Sequence, residues 1–243
     1  MKKILLIAIA FFSLGAVANA DTFGVFGSRA AQNPTDILDW SQLGPAFTQL
    51  GTPQLVSTFE GNPALVGNIN GSDFLRVDEG NGWVGNFDYG ESLVWTGNSN
   101  FGVGGLGPFA IVLGNPVGSF GFTIQADLYG PFTATVEALD VHGNPLFSYT
   151  ASGVSNGLEN GSALFIGLGD RTGVNIGVVE ISTNSGSGNP AWANDFAIDD
   201  PSFTYTTATP EPGSILLLGS GLLGMGGVLR RKLRTKLHPT VTV

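Results

Sequence analysis

The chain contains no cysteine, which excludes a disulfide framework, a thiolate metal site and a cysteine nucleophile. Histidine is almost as scarce. Of the two present, His238 lies near the C-terminus, so a Ser-His-Asp triad or a multi-histidine zinc site in the body would have to be built around His142. His142 falls in Asp140-Val141-His142-Gly143-Asn144-Pro145, the composition of a hairpin tip, with no nucleophile motif beside it. Lysine is missing from the whole stretch between Asp21 and Ala208. There only Arg29, Arg76 and Arg171 face eighteen acidic residues, leaving a net charge of −15. A body this acidic repels phosphate backbones and argues against a nucleic-acid partner. No Gly-x-Ser-x-Gly elbow, phosphate loop or His-Glu-x-x-His occurs. The glycine-rich run 102–107 lacks the strand before it and the helix after it that a dinucleotide loop needs.

What is present is clearest at the two ends. Lys2 and Lys3 precede an apolar run from Ile4 to Leu14, and Ala18-Asn19-Ala20 puts small residues where a signal peptidase reads. Residues 1–20 therefore read as a signal peptide, and the mature chain is expected to begin at Asp21. At the other end Pro210-Glu211-Pro212 leads into an apolar, glycine-interrupted stretch from Ser214 to Leu229, followed by Arg230-Arg231-Lys232-Leu233-Arg234. The two prolines make a stiff, non-helical entry. A helix over those sixteen residues would be about 24 Å long, short of the roughly 30 Å hydrocarbon core, with the arginines reaching for the headgroups. Positive charge after the span keeps that end in the cytoplasm and the body outside.

Pro-Glu-Pro, a short Gly/Leu helix and a terminal basic cluster, in that order, resemble the PEP-CTERM sorting signal. The resemblance implies that an exosortase, a membrane-embedded cysteine protease, recognises the tail through Pro210, Glu211, Pro212, Arg230 and Arg231. It also implies a precursor anchored by its C-terminal transmembrane helix and a protein released to, or held at, the cell surface. The expected organisation is signal peptide 1–20, extracellular domain 21–208, sorting signal 209–236, and a tail 237–243 without an assigned role.

The body carries period-two alternation. In Ser119–Ala126, Phe120, Phe122, Ile124 and Ala126 share one face and Ser119, Gly121, Thr123 and Gln125 the other. Phe132–Ala138 alternates the same way. Asn70-Gly71, Asn81-Gly82, Asn156-Gly157 and Asn160-Gly161 supply turn positions. Many short strands with frequent turns predict an all-β fold, an antiparallel two-sheet β-sandwich of the jelly-roll kind. The expected core includes Phe120, Phe122, Ile124, Val136, Phe165, Ile181, Phe196 and Ile198. A short helix is expected within 28–45, where Pro34-Thr35-Asp36 precedes Ile37, Leu38 and Trp40.

The stretch from Val117 to Tyr205, with Gly121-Phe122-Thr123-Ile124, Ala163-Leu164-Phe165-Ile166-Gly167 and Phe196-Ala197-Ile198-Asp199-Asp200, resembles lectin-like and galactose-binding-like jelly rolls. The resemblance implies first and last strands that pair and share a structural calcium. Glu60, Asp199 and Asp200 are the candidate ligands, since calcium takes six to eight hard oxygens. The competing reading of Asp199 and Asp200 is a solvated pair or a turn before Pro201. Trp83 and Trp95 lie in strand patterns and are expected in the core, whereas Trp192 lies in a loop and is the candidate for stacking on a sugar.

The leading functional expectation is a non-enzymatic surface or matrix protein of the exopolysaccharide layer or biofilm, a weak binder of extracellular polysaccharide. That role is carried by the sorting-signal resemblance. A secreted glycoside hydrolase on the same fold is the first alternative and needs two carboxyl groups about 5–10 Å apart in a sugar cleft. A purely adhesive protein without ligand is the second.

Overall fold

The computed structural model describes residues 23–97, 106–171, 173–185 and 192–205. The signal peptide, the sorting signal and the tail lie outside these residues, and everything described falls within the unit Met1–Thr207. Among the described residues no helix is long and apolar enough to cross a membrane.

In chain order the strands are β1 (Phe23–Phe26), β2 (Asp36–Ile37), β3 (Thr48–Leu50), β4 (Gln54–Ser57), β5 (Pro63–Asn68), β6 (Phe74–Glu79), β7 (Gly82–Trp83) and β8 (Ser92–Trp95). They continue with β9 (Phe109–Val117), β10 (Ser119–Ala126), β11 (Gly130–Leu139), β12 (Pro145–Ser155), β13 (Leu164–Asp170), β14 (Ile176–Ser185) and β15 (Phe196–Thr204). One sheet runs β1-β13-β10-β15-β8-β6-β3, with β2 added on β15 and β7 on β6; the other runs β12-β11-β14-β9-β5-β4. Neighbours are antiparallel except β6 with β7. From β9 onward the chain crosses between the sheets again and again, the winding of a jelly roll.

The core lies where the alternation places it. Phe120, Phe122, Ile124, Val136, Ile181, Phe196 and Ile198 are buried between the sheets, joined by Phe109, Trp40 and Phe74 in edge-to-face contact. Phe165 is the exception to the expected core. Cross-strand pairing sets it opposite Thr123, so β13 turns Ile166 and Leu168 inward and leaves the Phe165 ring half-buried on the outer face. There it lies over Gly121 and Gly167, whose missing Cβ atoms make the room for it.

The stretch 28–45 is also not one helix. A single turn, α1 (Arg29–Gln32), is capped by the Ser28 hydroxyl at the Ala31 N–H and closed by Asn33 in the left-handed conformation. A 3-10 turn spans Trp40–Leu43. Between them Asp36 and Ile37 pair with β15 instead of starting a helix. The Asp36 carboxylate is drawn away to the turn 58–62, where it accepts from Thr58 Oγ1, Asn62 Nδ2 and the Glu60 N–H.

Two further features position the site. Between Gly121↔Ser202 and Thr123↔Asp199 the ladder carries one extra residue on β15, a bulge at Asp200-Pro201, with Asp200 at φ 38°. The bulge resets the phase, so that Asp199 and Ser202 face outward while Ile198 and Phe203 face the core. Second, Arg76 on β6 is buried, its guanidinium paired with Asp78 and donating to Ser92 Oγ.

Candidate functional site

The outward face of β10 is polar in sequence, yet it is not wet. Ser119, Gly121 and Gln125 are all buried. Two separate covers close over this face. At one end Gln32 of α1 sits over Gly121, donating from Nε2 to the Ser202 carbonyl at 3.0 Å and accepting from Ser202 Oγ at 2.7 Å. At the other end the loop before β8 folds down on Gln125. Gln125 Oε1 accepts from the Asn86 N–H, and its Nε2 donates to Ser155 Oγ at 2.7 Å and to the Asn156 carbonyl at 3.0 Å. That loop also roofs a second, smaller apolar cluster of Leu75, Val77, Trp83, Phe87, Leu93, Trp95 and Ala197.

Between the two covers, at Thr123, the face opens. A cavity of about 260 Å³ is lined there by Thr123, Asp199, Glu91, Asp88, Arg29 and the rings of Phe87 and Phe165. Asp199 enters it from β15 and is only 3% exposed. Its Oδ1 has no hydrogen-bond partner, and neither does the buried Thr123 Oγ1 opposite it. Burial, then the like charges of Asp200 and Glu91, push the Asp199 carboxyl up to about 9. Burial likewise raises Glu91, against the pull of hydrogen bonds from the Asp88 N–H and from Asp199. The two carboxyl groups share a hydrogen bond, and burial displaces both upward. Arg29, the only cation lining the cavity among the described residues, is committed to Asp200, donating to its Oδ2 at 3.2 Å and its carbonyl at 2.9 Å.

A second cleft, of about 450 Å³, is lined by Pro34, Asp36, Asp39, Phe59 and Asp200. Burial works to raise Asp36, but hydrogen bonds from Thr58, Asn62, Glu60 and Ile37 together hold it below the usual carboxylate range. Its oxygens are already occupied. The Phe59 ring at this cleft is 90% exposed.

The residues singled out from sequence separate accordingly. Asp199 and Asp200 meet Glu91 and Arg29, while Glu60 supplies a backbone cap to Asp36. Among the described residues no three Asp, Glu, His or Cys side chains are grouped to hold a metal. Trp83 and Trp95 are buried and meet edge-to-face at 6.0 Å, and Trp192 is half-buried in a turn. The most exposed rings among the described residues are those of Phe59 and Tyr89, ahead of Tyr129 and Phe47. His142 lies in the predicted hairpin turn, exposed, its N–H bound to Asp140. Pro210, Glu211, Pro212, Arg230 and Arg231 lie outside the described residues.

Comparison with known proteins bears on the tail. Among solved structures the chain is similar to a DUF4465 family protein from Bacteroides caccae ATCC 43185, at 10% identity over 69% of this chain and 98% of that one, with a TM-score of 0.38. That likeness is too distant to bear on fold or function. No curated protein matches the chain. The model of the PEP-CTERM protein-sorting motif matches residues 208–232. The chain therefore carries a PEP-CTERM sorting motif, the mark of an exported protein addressed to an exosortase and held by a C-terminal membrane anchor before processing.

Proposed function

We propose that this protein is a non-enzymatic component of the extracellular polysaccharide layer, delivered as a β-sandwich to the cell surface and binding carbohydrate weakly. The sorting motif at residues 208–232 carries the reading. On this reading signal peptidase cuts after Ala20, and an exosortase then acts at Pro210-Glu211-Pro212. Two properties of the body support it. The exposed Phe59 and Tyr89 rings offer apolar faces of the kind that stack on sugars, and Trp192 is half-buried. Glu91 and Asp199, the hydrogen-bonded acid pair at the cavity, sit closer than the roughly 5 Å or more that either glycosidase mechanism uses.

The test follows the protein in cells that make it, with and without their exosortase. Intact mass should show loss of residues 1–20 and of the tail when the exosortase is active. The released body should be retained on the cells' own polysaccharide and on a glycan array. Recovery of chains that still carry Arg230–Lys236 from exosortase-active cells would sink the sorting half of the reading. Passage through the polysaccharide without retention would sink the other half.

A further inference from the structure

We infer that the cavity between β10, β15 and the loop before β8 is a binding site for a primary ammonium group on a small polar ligand, held by Asp199, Glu91 and Thr123. The inference stands independently of the polysaccharide reading. It begins with unmet hydrogen bonding. Asp199 is 3% exposed, and its Oδ1, like the buried Thr123 Oγ1, has no partner. An oxygen left so has lost its water without a replacement, a cost that a donor placed in the cavity would return. Two such oxygens on residues that line one space, beside Glu91, call for a ligand that donates several hydrogen bonds from one point. An ammonium carries three N–H donors and no acceptor.

Charge selects the same ligand. Asp88 and Glu91 line the cavity with Asp199, and Asp200 stands beside them. Arg29, the one basic residue lining the cavity among the described residues, is held by Asp200 through both its side chain and its carbonyl, so the acids there outnumber it. A bare metal ion fits the site poorly. No three acids are grouped to coordinate one among the described residues, and about 260 Å³ is far more room than one ion fills. The surplus space is bounded by Phe87 and Phe165, against which the carbon frame of a ligand can lie. Phe165 is free to stand there because Gly121 and Gly167 leave room beneath it.

Amino sugars and lysine side chains both supply this group, and three probes separate the sources. Glucosamine, N-acetylglucosamine and N-acetyl-lysine amide would be titrated by calorimetry into the protein purified from cells that export it. Glucosamine should bind at least tenfold more tightly than N-acetylglucosamine, which keeps the ring and loses the charge. Binding of the lysine amide at comparable strength assigns the site to ammonium in general. Its failure to bind, with glucosamine retained, assigns it to amino sugars. Asp199→Leu and Glu91→Gln should each weaken binding tenfold or more while the protein still melts cooperatively, and Asp140→Asn, in the exposed hairpin turn, should change nothing. Equal binding of glucosamine and N-acetylglucosamine, no heat with either amine at millimolar concentration, or undiminished affinity in both cavity variants would overturn the inference. None of these results depends on export or on polysaccharide, so failure here leaves the sorting reading standing.

Discussion

Asp195 provides a direct test of how burial sets the stability of this sandwich. It precedes β15, is 2% exposed, and accepts a 2.7 Å hydrogen bond from the Trp95 indole. Burial pushes its carboxyl up to about 7, outweighing the indole donor, and the nearby Asp127 adds to the rise. An acid raised on folding is held protonated by the native state. Its contribution is therefore whole below its unfolded value near 3.8 and is lost as the pH rises through about 7. The span from 3.8 to about 7, at about 1.4 kcal/mol per pH unit, amounts to an upper figure of about 4 kcal/mol. Asp195→Asn removes the titration and keeps an acceptor for the indole. Urea unfolding of both proteins from pH 4 to pH 8 isolates this group, because the other raised acids and the lowered Asp36 are common to both. The variant should match the wild type at pH 4 and exceed it by up to about 4 kcal/mol at pH 8. A difference between the two that does not change with pH would refute the argument.

Other expectations are simpler to state. Phe122→Ala opens a cavity between the sheets and should cost about 3–5 kcal/mol by chemical denaturation; a cost below about 1 kcal/mol would mean that the site collapses. Substituting Glu211→Ala in the sorting motif should leave a full-length tail on the protein in exosortase-active cells, read by intact mass. Because no three acids are grouped to hold a metal among the described residues, equal millimolar calcium and magnesium should raise the melting temperature equally by screening. A rise specific to calcium and removed by Asp200→Asn would restore the shared calcium site.

How far the sequence foretold this structure depends on the range of the interaction. Phe120, Phe122 and Ile124 alternate with polar neighbours, so their inward face was legible from local period alone. The fate of the opposite face was not. Gly121 and Gln125 read as solvent-facing, yet they lie under Gln32 and Asn86, which arrive from elsewhere in the chain. Phe165 was misplaced because Ala163-Leu164-Phe165-Ile166 is apolar at every position and has no phase to read. Asn70-Gly71, Asn81-Gly82 and Asn160-Gly161 take the positive φ their turns require, whereas Gly157 does not. For the cavity, Asp199 stood out as an acid in the last strand. Glu91 could not, because only the pairing of β8 with β15 brings it alongside. The bulge at Asp200 had one local hint, the Pro201 that cannot donate to a ladder.

The placement of the three arginines has a consequence for survival outside the cell. Proteases that cut after basic residues need an accessible bond in a segment that can be drawn out into the enzyme's cleft. The Arg76 bond lies inside β6, paired on both sides, with its guanidinium buried against Asp78. The Arg29 bond begins a capped helical turn whose arginine is tied to Asp200. That leaves Arg171, exposed just past β13, as the open point of attack between Asp21 and Ala208. A body displayed among secreted trypsin-like enzymes would suffer one nick at that edge and keep its sheets.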